Sequence, residues 1–115
     1  MNLPLPSLDP LLHQPARTQL VAFLSGRGEA TFSELKRVLG VTDGNLGAHL
    51  AKLADAGLVA AREDGGSGRA QTVFSLTAAG RAALAEYVEH LSALMQMSAG
   101  ADLPAALHPS PKPNL

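Results

Sequence analysis

The chain has no cysteine and no tryptophan, one tyrosine and three phenylalanines. Without cysteine there are no disulfides, thiolate metal sites or sulfur nucleophiles. Phe23, Phe32, Phe74 and Tyr87 are the whole aromatic set, too few for the exposed rings on which single-stranded nucleic acid stacks. An excess of positive charge is also missing. Nine Lys and Arg stand against ten Asp and Glu, a net charge of −1 with a pI near 6.4. That balance excludes a basic coat for non-specific nucleic-acid binding, and it leaves room for a specific binder with a few well-placed cations. No apolar run approaches the ~20 residues needed to cross a bilayer. MNLPLPSLDP has neither the basic nor the apolar region of a signal peptide. The expectation is a cytoplasmic protein with no membrane partner.

What the chain has is alanine and leucine. A hydrophobic content of 46% in 115 residues suits one small, packed, mainly helical domain and is too short for a large multidomain enzyme. Pro4, Pro6 and Pro10 set residues 1–10 apart as an extended N-terminal arm. Pro104, Pro109, Pro111 and Pro113 mark 98–115 as a Pro-rich tail without regular structure. The domain lies between them, over residues 11–97.

Within it, PARTQLVAFL carries an apolar face of Ala16, Leu20, Phe23 and Leu24, with Pro15 tolerated at the helix start and Gly26 and Gly28 at its end. Glu29, Ala30 and Thr31 form a short extended bridge. SELKRVLG gives a brief amphipathic helix on Leu35, Val38 and Leu39, with Ser33 as its cap or in its first turn and Gly40 just past its end. A tight turn through Val41 leads to Thr42 or Asp43 as the next N-cap. The helix that follows, to about residue 56, places Leu46, Leu50 and Leu53 on one face. LVAARE (58–63) and QTVFSL (71–76) read as strands around the glycine-rich loop DGGSGR (64–69). Thr77 then caps a long helix to about residue 97. Helix, short extended segment, helix, turn, helix, hairpin and long helix is the plan of a winged helix-turn-helix: mainly α with a small β-hairpin wing.

The helix after the turn has a conspicuous gap in its bulk. Gly44 and Gly47 each cost about 1 kcal/mol against alanine in a helix interior. On a wheel of 100° per residue, Gly44, Asn45, Ala48, Ala51 and Lys52 fall opposite Leu46 or on its shoulder. Small side chains let a backbone approach closely, and a recognition helix enters the major groove by its N-terminal turns. There the Asn45 amide matches adenine, and Lys52 reaches guanine or a phosphate. His49 lies on the flank as a phosphate donor.

FSELKRVLGVTDGNLGAHLAKLADAGLV resembles the helix-turn-helix of small MarR-like and ArsR-like bacterial regulators, and QTVFSLTAAGRAAL resembles that group's second wing strand and last helix. HL..L..AGLV is shared by many winged helices, whereas DGNL is more restrictive. The resemblance implies DNA contacts at Thr42, Asp43, Gly44, Asn45 and Ala48, with His49 and Lys52 further along the helix. It also implies a wing cation at Arg69 supported by Arg62, and a phosphate on Ser33. Larger MarR proteins take a small-molecule effector between the DNA-binding lobe and the dimer helices, and no residue here identifies one. Between Thr31 and Ser75, Lys36, Arg37, Lys52, Arg62 and Arg69 oppose Glu34, Asp43, Asp55, Glu63 and Asp64, five against five. Modest affinity per subunit follows, which points to a dimer.

The last helix supplies a seam for one. Leu84, Val88, Leu91 and Met95 are spaced four, three and four, and Tyr87 and Leu94 broaden the stripe. The expected assembly is a homodimer through this helix, with two recognition helices about one DNA turn apart on a pseudo-palindrome.

His13, His49, His90 and His108 form no metal cluster, and the Glu86, Glu89 and His90 group reads as a solvated helix face. Gly65, Gly66 and Gly68 lack the lysine and hydroxyl residue of a phosphate loop. No catalytic constellation stands out, so the expectation is no cofactor, no metal and no enzymatic activity. Two readings remain. The first is a homodimeric repressor that reads double-stranded DNA. The second is a winged-helix protein-interaction module without specific DNA binding.

Overall fold

Every helix whose start is defined by a cap begins on a side-chain oxygen. Gln14 accepts the Arg17 backbone N–H at 2.9 Å, Thr42 that of Asn45 at 3.1 Å and Thr77 that of Gly80 at 3.0 Å. At Thr31 the cap is reciprocal. Its hydroxyl accepts the Glu34 N–H at 3.1 Å, and the Glu34 carboxylate accepts the Thr31 N–H at 3.0 Å. These caps satisfy donors that a helix start leaves without intrahelical partners.

The computed structural model describes residues 7–65, 68 and 70–99. They form α1 (Pro15–Arg27), β1 (Glu29–Thr31), α2 (Phe32–Leu39), α3 (Asp43–Asp55), β2 (Val59–Asp64), β3 (Gln71–Leu76) and α4 (Ala78–Ala99). This is the winged-helix plan with a long last helix. The order of strands is β1-β3-β2, antiparallel throughout. Glu29–Thr31 is therefore a third strand on the wing hairpin, with Ala30 opposite Phe74. Thr31, rather than Ser33, caps α2, because Glu34 stands three residues on and closes the box.

Leu46, Leu50 and Leu53 of α3 meet Leu20, Val21 and Leu24 of α1 and Leu35 of α2 in one core that includes Leu58, Val59 and Leu76. Burying each leucine contributes roughly 1.5–3 kcal/mol. Val38 stands apart from the core and is exposed, so α2 buries Leu35 fully and Phe32 and Leu39 in part. Between α2 and α3, Gly40 takes a left-handed φ of 66° and its N–H bonds to the Lys36 carbonyl, which turns the chain sharply.

The described part of the N-terminal segment is not an extended arm. The Asp9 carbonyl accepts the N–H groups of Leu12 at 3.1 Å and His13 at 2.8 Å. Leu12 is fully buried, and Leu8 and Leu11 pack on the core. Pro10 fits this turn, where its missing N–H costs nothing. The segment also reaches α4: His13 Nδ1 and the Tyr87 hydroxyl share a hydrogen bond of 2.9 Å, and His90 Nδ1 donates to the Ser7 carbonyl at 2.8 Å. The remainder of the arm (1–6) and tail residues 100–115 lie outside the described residues. Among the described residues no helix is long and apolar enough to cross a membrane.

The reciprocal cap makes a direct prediction. Thr31→Ala should cost about 1 kcal/mol, with Thr31→Ser close to the parent in urea midpoint. Glu34 adds a pH signature. The backbone N–H of Thr31 holds its carboxyl below the ordinary 4.5, against desolvation and with help from Arg27. This stabilisation is complete above that ordinary value and lost as pH falls through the lowered one.

Candidate nucleic-acid interface

With its leucines buried, α3 presents Asp43, Gly44, Asn45, Ala48, Ala51 and Lys52 on its exposed surface. Two of these carry reach and the means to bind. The Asn45 backbone is held by the Thr42 hydroxyl, and its side-chain amide has no protein partner among the described residues. Lys52 has no ion pair among them either. Asp43 differs, because its carboxylate is 2.8 Å from Lys36 Nζ. That pair ties the start of α3 to α2, and both partners are exposed, so its contribution is below about 1 kcal/mol.

Among the described residues nothing lies against the α3 glycines that would require them. A Cβ built on Gly44 or on Gly47 meets no atom within 4 Å, and neither has a positive φ. Neither packing nor backbone conformation demands glycine there. Gly44 lies on the exposed face with Asn45 and Lys52, whereas Gly47 lies on the opposite flank of the helix and is partly buried.

His49 is half-buried on the flank of that face, and its Nδ1 lies 3.1 Å from Arg17 Nη1. Burial first, then the charges of Arg17 and Lys52, hold its pKa below the ordinary 6.5, which favours the neutral ring. Arg17 is the residue that sequence reading missed. Its one signal is a cation in the first turn of α1, where the helix dipole disfavours positive charge.

Ser33 is exposed in the first turn of α2, beside a cleft of ≈ 290 Å³ lined also by Thr31, Phe32, Ala70, Gln71 and Thr72. This cleft joins the start of α2 to the loop end of the wing hairpin. From Ala60 to Asp64 the first wing strand is exposed at every residue. Arg62 is engaged: its Nη2 lies 3.0 Å from both carboxylate oxygens of Glu29, across β3. Its charge is compensated within the sheet. Arg69, with Gly66 and Ser67, lies outside the described residues.

On α4 the anticipated stripe divides. Tyr87 is 6% exposed and belongs to the chain's own core, with Leu84 packed beside it. Tyr87 therefore drops out of the outer seam, because its ring covers the N-terminal turn and its hydroxyl meets His13. Val88, Leu91 and Met95 are 51%, 38% and 52% exposed, and Leu94 is half-buried. His90 Nε2 lies 4.0 Å from Glu86, and no group of three metal-ligating side chains occurs among the described residues.

Known proteins share this arrangement. The winged helix DNA-binding domain family matches residues 16–95. An uncharacterized protein of Methanocaldococcus jannaschii is 35% identical over 78 residues, 68% of this chain and 85% of that one. A transcriptional regulator homologue from Pyrococcus horikoshii OT3 superposes with a TM-score of 0.66 at 34% identity, covering 81% of this chain and 89% of that one. A mutant MarR from E. coli, solved in complex with operator DNA, has the same fold, with a TM-score of 0.66 at 24% identity, 84% of this chain and 69% of that one. The family match runs from the first turn of α1 through the wing and most of α4, and the chain belongs to the winged helix DNA-binding domain family.

Proposed function

We propose that the protein is a sequence-specific transcriptional regulator, acting as a homodimeric repressor on a pseudo-palindromic operator. In this reading α3 lies in the major groove, and the wing contacts the backbone or minor groove. The observation that carries it is the vacant face of α3, where Gly44, which the fold does not require, stands beside the unpartnered amide of Asn45, with the unpaired Lys52 further along the same face. Ser33 and the first turn of α2 then meet a phosphate beside the wing cleft. The exposed Val88, Leu91 and Met95 support pairing of two copies through α4. The family match and the likeness to a MarR fold solved on operator DNA support the assignment.

Selection of bound duplexes from a random pool, at a stated moderate salt concentration, tests this directly. The expected result is one two-fold symmetric motif with half-sites about one helical turn apart. Recovery of nothing above background from folded protein would sink the regulator reading and favour a protein-interaction module.

On the selected duplex, Asn45→Ala should cost about 1–3 kcal/mol of binding and relax specificity at one base position per half-site. If Lys52 contacts a phosphate, Lys52→Ala should weaken binding to all sequences and lower the salt slope by about one per subunit. Titrations at several salt concentrations separate the two. Unchanged specificity in both variants would place the reading face elsewhere.

A further inference from the structure

Arg17 is held at both ends of its guanidinium. Nε donates to the Leu11 carbonyl at 2.6 Å, and Nη1 lies 3.1 Å from His49 Nδ1. Leu11 belongs to the turn that Asp9 closes, with the buried Leu12 next to it. The arginine is thus anchored in the N-terminal turn and reaches across to α3. A guanidinium has only donors and is always charged. The nitrogen facing it must therefore offer a lone pair, so His49 Nδ1 carries no proton. In a neutral imidazole the proton is then on Nε2, and the choice of tautomer is fixed by the bond that the other nitrogen makes.

The charged groups near the ring agree with neutrality. Arg17 faces it from α1 and Lys52 from its own helix, and no carboxylate pairs with it among the described residues. His49 Nε2 has no protein partner among those residues. Asn45, His49 and Lys52 stand at i, i+4 and i+7, one row along the helix.

We propose that Arg17 is a positioning residue that fixes His49 as the Nε2–H tautomer, so that the recognition row presents a neutral donor to an acceptor atom of the DNA. This rests on the assignment of α3 as the DNA-contacting helix. The acceptor is a phosphate oxygen or the N7 or O6 of a purine, all of which suit an N–H donor.

The tautomer is measurable in the full chain without DNA. Long-range ¹H–¹⁵N spectra of labelled histidine at pH 7.5 should show His49 with a bare Nδ1 and a protonated Nε2. Arg17→Ala should mix the tautomers and raise the His49 pKa, and Arg17→Lys, a milder change should alanine fail to fold, should do so in part. An Nδ1–H ring or an imidazolium in the parent, or an unchanged ring in both variants, would overturn the positioning role.

On the selected duplex His49→Ala should bind about tenfold more weakly. His49→Gln, whose amide nitrogen falls near Nε2, should bind better than His49→Asn. A loss confined to one operator position identifies a base acceptor, and a loss equal on all sequences identifies a phosphate. Arg17→Ala combined with His49→Ala should bind no worse than His49→Ala alone. Additive losses would mean that Arg17 acts on DNA by itself. If His49→Ala is silent while Asn45→Ala is not, the donor role alone fails. If both are silent, the assignment of α3 fails with it, whatever the tautomer.

Discussion

Alanine at position 80 should destabilise the fold by about 3 kcal/mol, although alanine is the better helix former by about 1 kcal/mol. Gly80 is buried in the first turn of α4. A Cβ there would lie 2.1 Å from the Leu58 carbonyl oxygen, 3.1 Å from its carbon and 3.2 Å from Leu76 Cδ2. The first of these atoms is backbone and cannot swing aside. The same carbonyl accepts the Thr77 N–H at 3.0 Å. Thr77 in turn donates its hydroxyl proton to the Gly57 carbonyl at 2.6 Å and accepts the Gly80 N–H. Relief of the clash must therefore disturb the cap of α4 or the bend between α3 and β2. That bend sets the angle between the vacant helix and the wing, so the loss should extend to DNA affinity even where the variant still folds. Urea unfolding of Gly80→Ala against the parent measures the first effect. A change below about 0.5 kcal/mol would show that the junction yields easily.

Sequence reading could not have singled out Gly80. In AAGRAAL it is one more glycine in a helical run, and the feature that demands it is a carbonyl 22 positions earlier in the chain. The leucines of α3 were legible because burial there follows the period of its own helix, and Thr42 and Thr77 because capping is local. β3 and the wing hairpin were visible from alternation and a glycine loop. From sequence β1 reads only as a bridge, since three residues have no period and its partner strand lies more than 40 positions away. The turn at Asp9–His13 is hidden from sequence for a related reason. Three prolines suggested an extended arm, but Leu8, Leu11 and Leu12 had a core to reach and Pro10 fits the turn that takes them there. Tyr87 falls on the expected α4 stripe, yet the same side of a helix can serve its own domain at one turn and solvent about two turns on. Arg17 and His49 belong to the class that sequence hides most completely, two polar residues on separate helices whose meaning depends on the atom each turns toward the other.

Gly44 separates stability from binding most sharply. Gly44→Ala should leave the free protein as stable as the parent or more so, by up to about 1 kcal/mol, since its φ is not positive and its Cβ meets no atom within 4 Å. The same substitution should weaken binding to the selected duplex at least about tenfold, or ~1.4 kcal/mol. The new methyl group would stand between the backbone of the first turn and the groove floor, beside Asn45, and would lift the amide from its base. Gly47→Ala is the control. It lies about 100° from Leu46 on the side away from Asn45, and its Cβ also meets nothing within 4 Å. It should gain stability and keep its affinity. Paired thermal melts and titrations of the two variants distinguish a helix held bare for DNA from a helix that is merely rich in glycine. If both gain stability and neither loses affinity, the vacant face is not the DNA surface. If Gly44→Ala alone binds poorly, then the helix has given up stability at one position where duplex, rather than protein, fills the space.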